Sequence, residues 1–179
     1  MKTIKGFCLL AALAAATACN QPAKQQDSTK ADSTATNAAK PAETQVAADT
    51  ANTSDVLNAY IALKDEFIKS DVAGIKTAAT DLEGKLSGIK GCTETATVAH
   101  QITTAADIKA QRDAFLVLSK DVIALVKGAK LKSAPIYVDF CPMADGGKGG
   151  YWLSSTKPIV NPYFPEHMKE CGSVKEQIN

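Results

Sequence analysis

The sequence predicts a mainly α protein: an antiparallel bundle of three to four helices, followed by a small C-terminal tail that is rich in aromatics, Gly and Pro and contains short strands. Three observations carry this reading. Apolar residues between Leu57 and Leu125 recur at helical spacing, in stripes separated by short polar or glycine breaks. Six of the ten aromatic residues lie between Tyr137 and Phe164, where glycine and proline also concentrate. Ahead of both, residues 20–54 are almost wholly Ala, Thr, Gln, Asn, Ser, Asp and Lys, with Val46 the only large aliphatic side chain. Such a stretch cannot bury a core.

The first element is an export signal at residues 1–18. Lys2 and Lys5 form a positive start, Gly6 to Ala16 is an apolar run dominated by Leu and Ala, and Ala16-Thr17-Ala18 places small residues ahead of Cys19. The run is too short to serve as a membrane span in the mature protein. Cleavage before a cysteine resembles a bacterial lipoprotein signal, with Ala16 where that pattern more often has Leu, and implies a lipid on Cys19; the alternative is an ordinary secretory signal cut after Ala18 that leaves Cys19 free. The expected location is the periplasmic side of a Gram-negative membrane, reached by the Sec route. Residues 19–54 then read as a lipid-anchored disordered tether with a reach of about 30 to 35 Å. Removing the signal takes away Lys2 and Lys5, so the formal charge moves from +1 to −1. Capture of nucleic acid by net charge is thereby excluded.

Residues 55–179 read as a single folded domain with 15 basic and 15 acidic side chains. Its helical part spans 55–130. The first helix is predicted at about 55–69 from Leu57, Tyr60, Ile61, Phe67 and Ile68, after the caps Thr53 and Ser54. Ser70-Asp71 breaks it and caps a second, whose Val72, Ile75, Ala79, Leu82, Leu86 and Ile89 step by three and four until Gly88 and Gly91 end it near Cys92. Thr93 to Thr104, with Val98 and Ile102, predicts a shorter helix. Asp107 caps the last, in which Ile108, Gln111, Phe115, Leu118, Val122 and Leu125 repeat the step pattern up to Gly128. These stripes are core.

The tail, 131–179, predicts a strand at 136–140, a glycine loop through Ala144 to Gly150 and an extended or turn-rich passage from Trp152 to Pro165. Pro165 is expected to open a helical turn through Glu170 that Gly172 closes, and Val174 to Ile178 to form a final strand.

The distinctive chemistry is sulfur. Cys141-Pro-Met143 and Met168-Lys-Glu-Cys171 each set a thiol near a thioether, and Met143 and Met168 are the only methionines after Met1. Soft thiolate and thioether donors select Cu(I), while thiolates alone also suit Zn(II). In an oxidising compartment the same spacing serves a Cys141–Cys171 disulfide stapling the tail, with the methionines as packing residues. Spacing alone leaves both open. His167, beside Met168, and His100 are candidate auxiliary ligands, although His100 reads more simply as a helix-surface or satisfied core residue. Cys92 reads as a small buried side chain.

The tail residues Cys141-Pro-Met143, Gly149-Gly-Tyr-Trp-Leu-Ser154, Asn161-Pro-Tyr-Phe164, Met168 and Cys171-Gly172 resemble an uncharacterised domain family. It occurs in Gram-negative lipoproteins and at the end of some Cus-type copper and silver efflux adaptor proteins. Tyr60, Ser70-Asp71 and Gln111-Arg112-Asp113-Ala114-Phe115 are similar to its helical part. Tyr137 to Met143 is also similar to the opening of small heavy-metal-binding modules of those efflux systems. Pro165 and Lys169 depart from the family pattern. The resemblance implies heavy-metal handling and an efflux adaptor as partner.

Other signatures are missing. Gly146-Gly-Lys-Gly-Gly150 lacks P-loop spacing, and there is no HExxH, GxSxG or CxxC. The residues predict no catalytic activity. The expected function is binding of a soft ion, Cu(I), through Cys141, Met143, Met168 and Cys171, with Tyr151, Trp152, Tyr163 and Phe164 as a water-excluding shell, for buffering or transfer. The alternative is a non-enzymatic structural or protein-interaction module in which Cys141 and Cys171 form a disulfide.

Overall fold

A computed structural model of the chain describes residues 42–131 and 134–178, with side chains described from Thr50. The signal, Cys19 and the tether up to residue 41 lie outside these residues.

Four helices follow one another: α1 (Ala42–Lys69), α2 (Val72–Ser87), α3 (Thr93–Thr104) and α4 (Ile108–Ala129). Their breaks are local chemistry. The carboxylate of Asp71 accepts from Ala73 N at 3.0 Å, and that of Asp107 accepts from Ala110 N at 2.8 Å, each satisfying an otherwise orphaned helix-start donor. Consecutive helices pack side by side and α4 returns to α1, closing the bundle. Tyr60, Leu63, Phe67, Ile75, Leu82, Leu86, Ile102, Phe115, Leu118 and Val122 are fully buried at its centre. Most residues of the predicted stripes are therefore the core, but Val72 is 38% exposed and Ile61, Ile68, Ile89, Val98, Ile108 and Leu125 are half-buried.

α1 differs from expectation. It begins at Ala42, thirteen residues ahead of the predicted start and inside the segment assigned to the tether. Ala, Glu and Gln favour helix without needing a core, and Thr53 at 2% exposure and Val56 at 0% already belong to the packed region.

The tail forms a three-stranded antiparallel sheet in the order β2-β1-β3, from β1 (Ile136–Cys141), β2 (Gly150–Ser154) and β3 (Ser173–Ile178). β1 pairs Asp139 with Trp152 and Cys141 with Gly150 on one face, and Val138 with Leu153 and Phe140 with Tyr151 on the other. A bulge between Val138 and Asp139 shifts the register of β3, which then pairs Phe140 with Ser173. Between β1 and β2 the expected glycine loop tightens into one helical turn, α5 (Ala144–Gly147), with Asp145 and Gly146 left-handed. The segment from Pro165 to Glu170 forms turns, and the expected helical turn is reduced to one backbone bond of helical spacing, Met168 N to Phe164 O at 2.9 Å.

β2 lies against α4. Gly150 permits this contact: a Cβ there would stand 2.6 Å from Leu116 Cδ2 and 2.8 Å from the Tyr163 ring. Gly150→Ala is expected to cost about 1 to 3 kcal/mol by overpacking, read from the urea midpoint. An unchanged midpoint would show that the sheet does not need so close an approach.

Candidate functional site: a pair of thiols between the sheet and the tail

Cys141 ends β1, and its side chain is fully buried. Cys171 stands just before β3 and is half-buried. Antiparallel pairing of these two strands brings the sulfurs together across 30 residues of chain: Sγ to Sγ is 3.7 Å, and both are free thiols. A hydrogen bond shared with Cys141 holds the Cys171 thiol above its ordinary pKa, with partial burial adding to it.

The Cys171 side is organised by Asn161, a fully buried residue to which the sequence reading gave no role. Its Nδ2 donates to the carbonyls of Met168 at 3.3 Å and Cys171 at 3.0 Å. Its Oδ1 accepts from Tyr163 N at 2.9 Å, and its own N–H donates to Lys169 O at 2.8 Å. Cys171 N donates to Met168 O at 3.0 Å. One amide thus fixes the turn that carries both Met168 and Cys171. The signal for it was a lone Asn ahead of Pro162 in an aromatic stretch, too short a pattern to read without the fold.

The thioethers are placed less closely. Met143 follows Cys141 by two residues and is 53% exposed, and Met168 is half-buried in the Asn161 turn. His167 is exposed, and His100 lies on the surface of α3 with Nδ1 3.2 Å from Glu83 Oε2 of α2. Among the described residues no three His, Cys, Asp or Glu side chains form a group that could hold a metal ion, so neither histidine completes a set with the two thiols. Cys92, buried at the start of α3, has its thiol pushed up by burial.

Of the aromatic residues, Trp152 and Tyr163 are buried and meet edge to face with ring centres 5.9 Å apart. A Cβ on Gly172, beside Cys171, would stand 3.0 Å from the Trp152 ring. Tyr151 is turned to the opposite face, where it packs on Phe140 at 4.5 Å, and is 38% exposed. The shell over the Cys141 face therefore consists of Trp152 and Tyr163, and Tyr151 is not part of it. Phe164 is half-buried.

Asp139 shares the face of Cys141. It is fully buried, and neither carboxylate oxygen has a hydrogen-bond partner among the described residues; the indole N–H of its cross-strand neighbour Trp152 is likewise unpaired. Burial raises the Asp139 carboxyl from 3.8 to about 6, against an opposing pull from Lys64. Lys64 is itself buried, with Nζ 2.6 Å from Asp65.

What the fold defines is a four-helix bundle bearing a small sheet with a dithiol at the end of its central strand. A family model described as "Protein of unknown function (DUF3347)", an uncharacterised family, matches residues 56–134, from within α1 past the end of α4, and stops before β1. No curated protein and no solved structure matches the chain.

Because the folded state binds the Asp139 proton more tightly than the unfolded chain does, this group favours folding below about pH 4. The advantage is lost as pH rises from about 4 through 6. The Asp139→Asn variant, compared with the parent by denaturant melts, is expected to gain on the order of 3 kcal/mol between pH 4 and pH 7. A difference that stays flat with pH would mean that the carboxylate is solvated in the native state.

Proposed function

We propose that the chain is a lipid-anchored periplasmic protein that binds one soft metal ion, Cu(I), at Cys141 and Cys171 and buffers it or passes it to an efflux adaptor. The observation that supports this reading most is the 3.7 Å approach of two thiols from distant parts of the chain. Two thiolates held side by side match a soft ion. Zinc asks for four N, S or O donors, and among the described residues no third His, Cys, Asp or Glu joins the two thiols. A soft ion satisfied by fewer donors fits the residues better, and Met143 and Met168, each within three residues of one of the thiols along the chain, are the thioethers that would complete its site. The buried Trp152 and Tyr163 supply the apolar surroundings that slow oxidation of such a site. The lipid on Cys19 and the adaptor partner rest on the signal pattern and on the resemblance of the tail.

The protein is non-enzymatic in this reading: the thiols hold the ion and catalyse nothing. The same proximity also serves the rival reading, a structural disulfide in an interaction module, and one sample separates them. Full-length chain carrying Cys8→Ser and Cys19→Ser, purified anaerobically, is expected to gain one copper by intact mass. Cys141 and Cys171 should become protected from alkylation while Cys92 does not. A chain with Cys141 and Cys171 linked, refusing copper after gentle reduction and losing about 2 to 5 kcal/mol of stability on that reduction, would replace the metal site by a staple. In a second test, Met143→Leu with Met168→Leu should weaken Cu(I) binding and leave the denaturation midpoint nearly unchanged. Unaltered affinity would remove the thioethers from the site.

A further inference from the structure

The two thiols are unequal, and this inequality has a chemical consequence. Cys141 is fully enclosed at the end of β1, whereas Cys171 is half-buried on a surface turn whose backbone is fixed by Asn161 and Met168. A reagent in solution reaches the second before the first. The distance between the sulfurs, 3.7 Å, is already that of a nucleophile in contact with its target.

We propose that Cys141 and Cys171 form a thiol–disulfide exchange centre, with Cys171 the attacking sulfur and Cys141 the resolving one. The oxidant is a disulfide of an external thiol. The Cys171 thiol first releases its proton to solvent. The thiolate attacks one sulfur of that disulfide, the external S–S bond breaks and a mixed disulfide forms at Cys171. The first external sulfur departs as a thiolate that takes up a proton from solvent. Cys141 then attacks the Cys171 sulfur, the mixed bond breaks, and the second external thiol departs with the Cys141 proton. Two electrons have passed from the protein pair to the external disulfide, leaving Cys141–Cys171 bonded and two external thiols free.

The order follows from accessibility together with the contact between the sulfurs. A disulfide would close that contact to ~2.05 Å; Cys141 is carried by the end of β1 and Cys171 by the turn that Asn161 and Met168 fix. The consequence for the ion rests on the preceding functional reading: sulfurs joined to each other have no thiolate to offer, so oxidation and soft-ion binding exclude one another. Oxidation would release the ion and reduction would restore the site.

The test uses the metal-free full chain with Cys8→Ser and Cys19→Ser and oxidised glutathione as the probe. With Cys141→Ser added, a stable glutathione adduct is expected at Cys171. With Cys171→Ser instead, adduct formation at Cys141 is expected to be slower by about tenfold or more, because access limits it. With both cysteines present the adduct should be transient and give way to the Cys141–Cys171 disulfide. Should a serine variant fail to fold, limiting iodoacetamide on the unaltered pair, followed by peptide mapping, is expected to label Cys171 first. Equal labelling, or a mixed disulfide that persists with both cysteines present, would overturn the proposal. Copper binding without exchange would sink this proposal and spare the metal site. Exchange without copper binding would do the reverse.

Discussion

The hydroxyl of Tyr60 is where the two halves of the domain meet. It bonds Ser119 Oγ of α4 at 2.7 Å and accepts from Leu153 N of β2 at 3.3 Å, so one buried group joins α1, α4 and the sheet. Burial pushes the phenol well above its ordinary pKa, against the opposing pull of these two hydrogen bonds, and keeps it neutral throughout the physiological range. Around it runs a line of aromatic contacts from bundle to tail: Phe67 to Phe115 at 4.5 Å, Tyr60 to Phe115 at 5.4 Å, Phe115 to Tyr163 at 5.8 Å. A second tether lies at the bundle's end. There Arg112 donates to Pro162 O at 3.1 Å and to Ser70 Oγ at 2.9 Å, while the Ser70 hydroxyl donates to Glu166. That bond, with help from Arg112, holds the Glu166 carboxyl below its ordinary pKa.

A three-stranded sheet of five- and six-residue strands has little core of its own. It is ordered because the bundle supplies the wall against which it packs, and the spacing of Cys141 and Cys171 depends on that order. This gives a physical reason for polar residues inside the helices. Tyr60 and Arg112 inside the helices, and Ser70 in the break between α1 and α2, are poor choices for a free-standing bundle. Gln111 is fully buried and donates to Val72 O at 3.4 Å, beside the turn that Arg112 also grips. Tyr60, Ser70 and Arg112 make sense as the seat of the tail. The family match ends at residue 134, yet the helical residues that touch the tail lie inside it.

The helices were legible because each stripe has its own stop. Asp71 and Asp107 cap by side-chain bonds that depend on one residue, and a glycine follows α2, so local chemistry set those boundaries. The start of α1 was not legible, since a polar Ala-rich segment can extend an existing helix without any apolar pattern to announce it. β2 was hidden in a stretch read only as extended, because Gly149-Gly150 reads as loop until its close approach to Leu116 and Tyr163 is known. The turn after Pro165 looked helical by composition. In the fold Met168 N keeps one bond of helical spacing to Phe164 O, while Asn161 claims the carbonyls of Met168, Lys169 and Cys171. Sulfur proximity was half legible: the two Cys-Met clusters suggested it, while the antiparallel β1–β3 pairing that creates it needed the sheet order. The exclusion of His100 and His167 from the thiol pair, and the orphaned carboxylate of Asp139, were not readable from spacing at all.

These features together describe a scaffold that holds two thiols side by side at the end of the sheet's central strand, one buried and one half-buried. The most direct test of the soft-metal account is the copper K-edge X-ray absorption spectrum of the chain loaded anaerobically with one equivalent of Cu(I). A low-coordinate Cu(I) with sulfur scatterers alone in its first shell is the predicted result. A first shell of nitrogen or oxygen, or a spectrum unchanged when Cys141 and Cys171 are both replaced by serine, would contradict it.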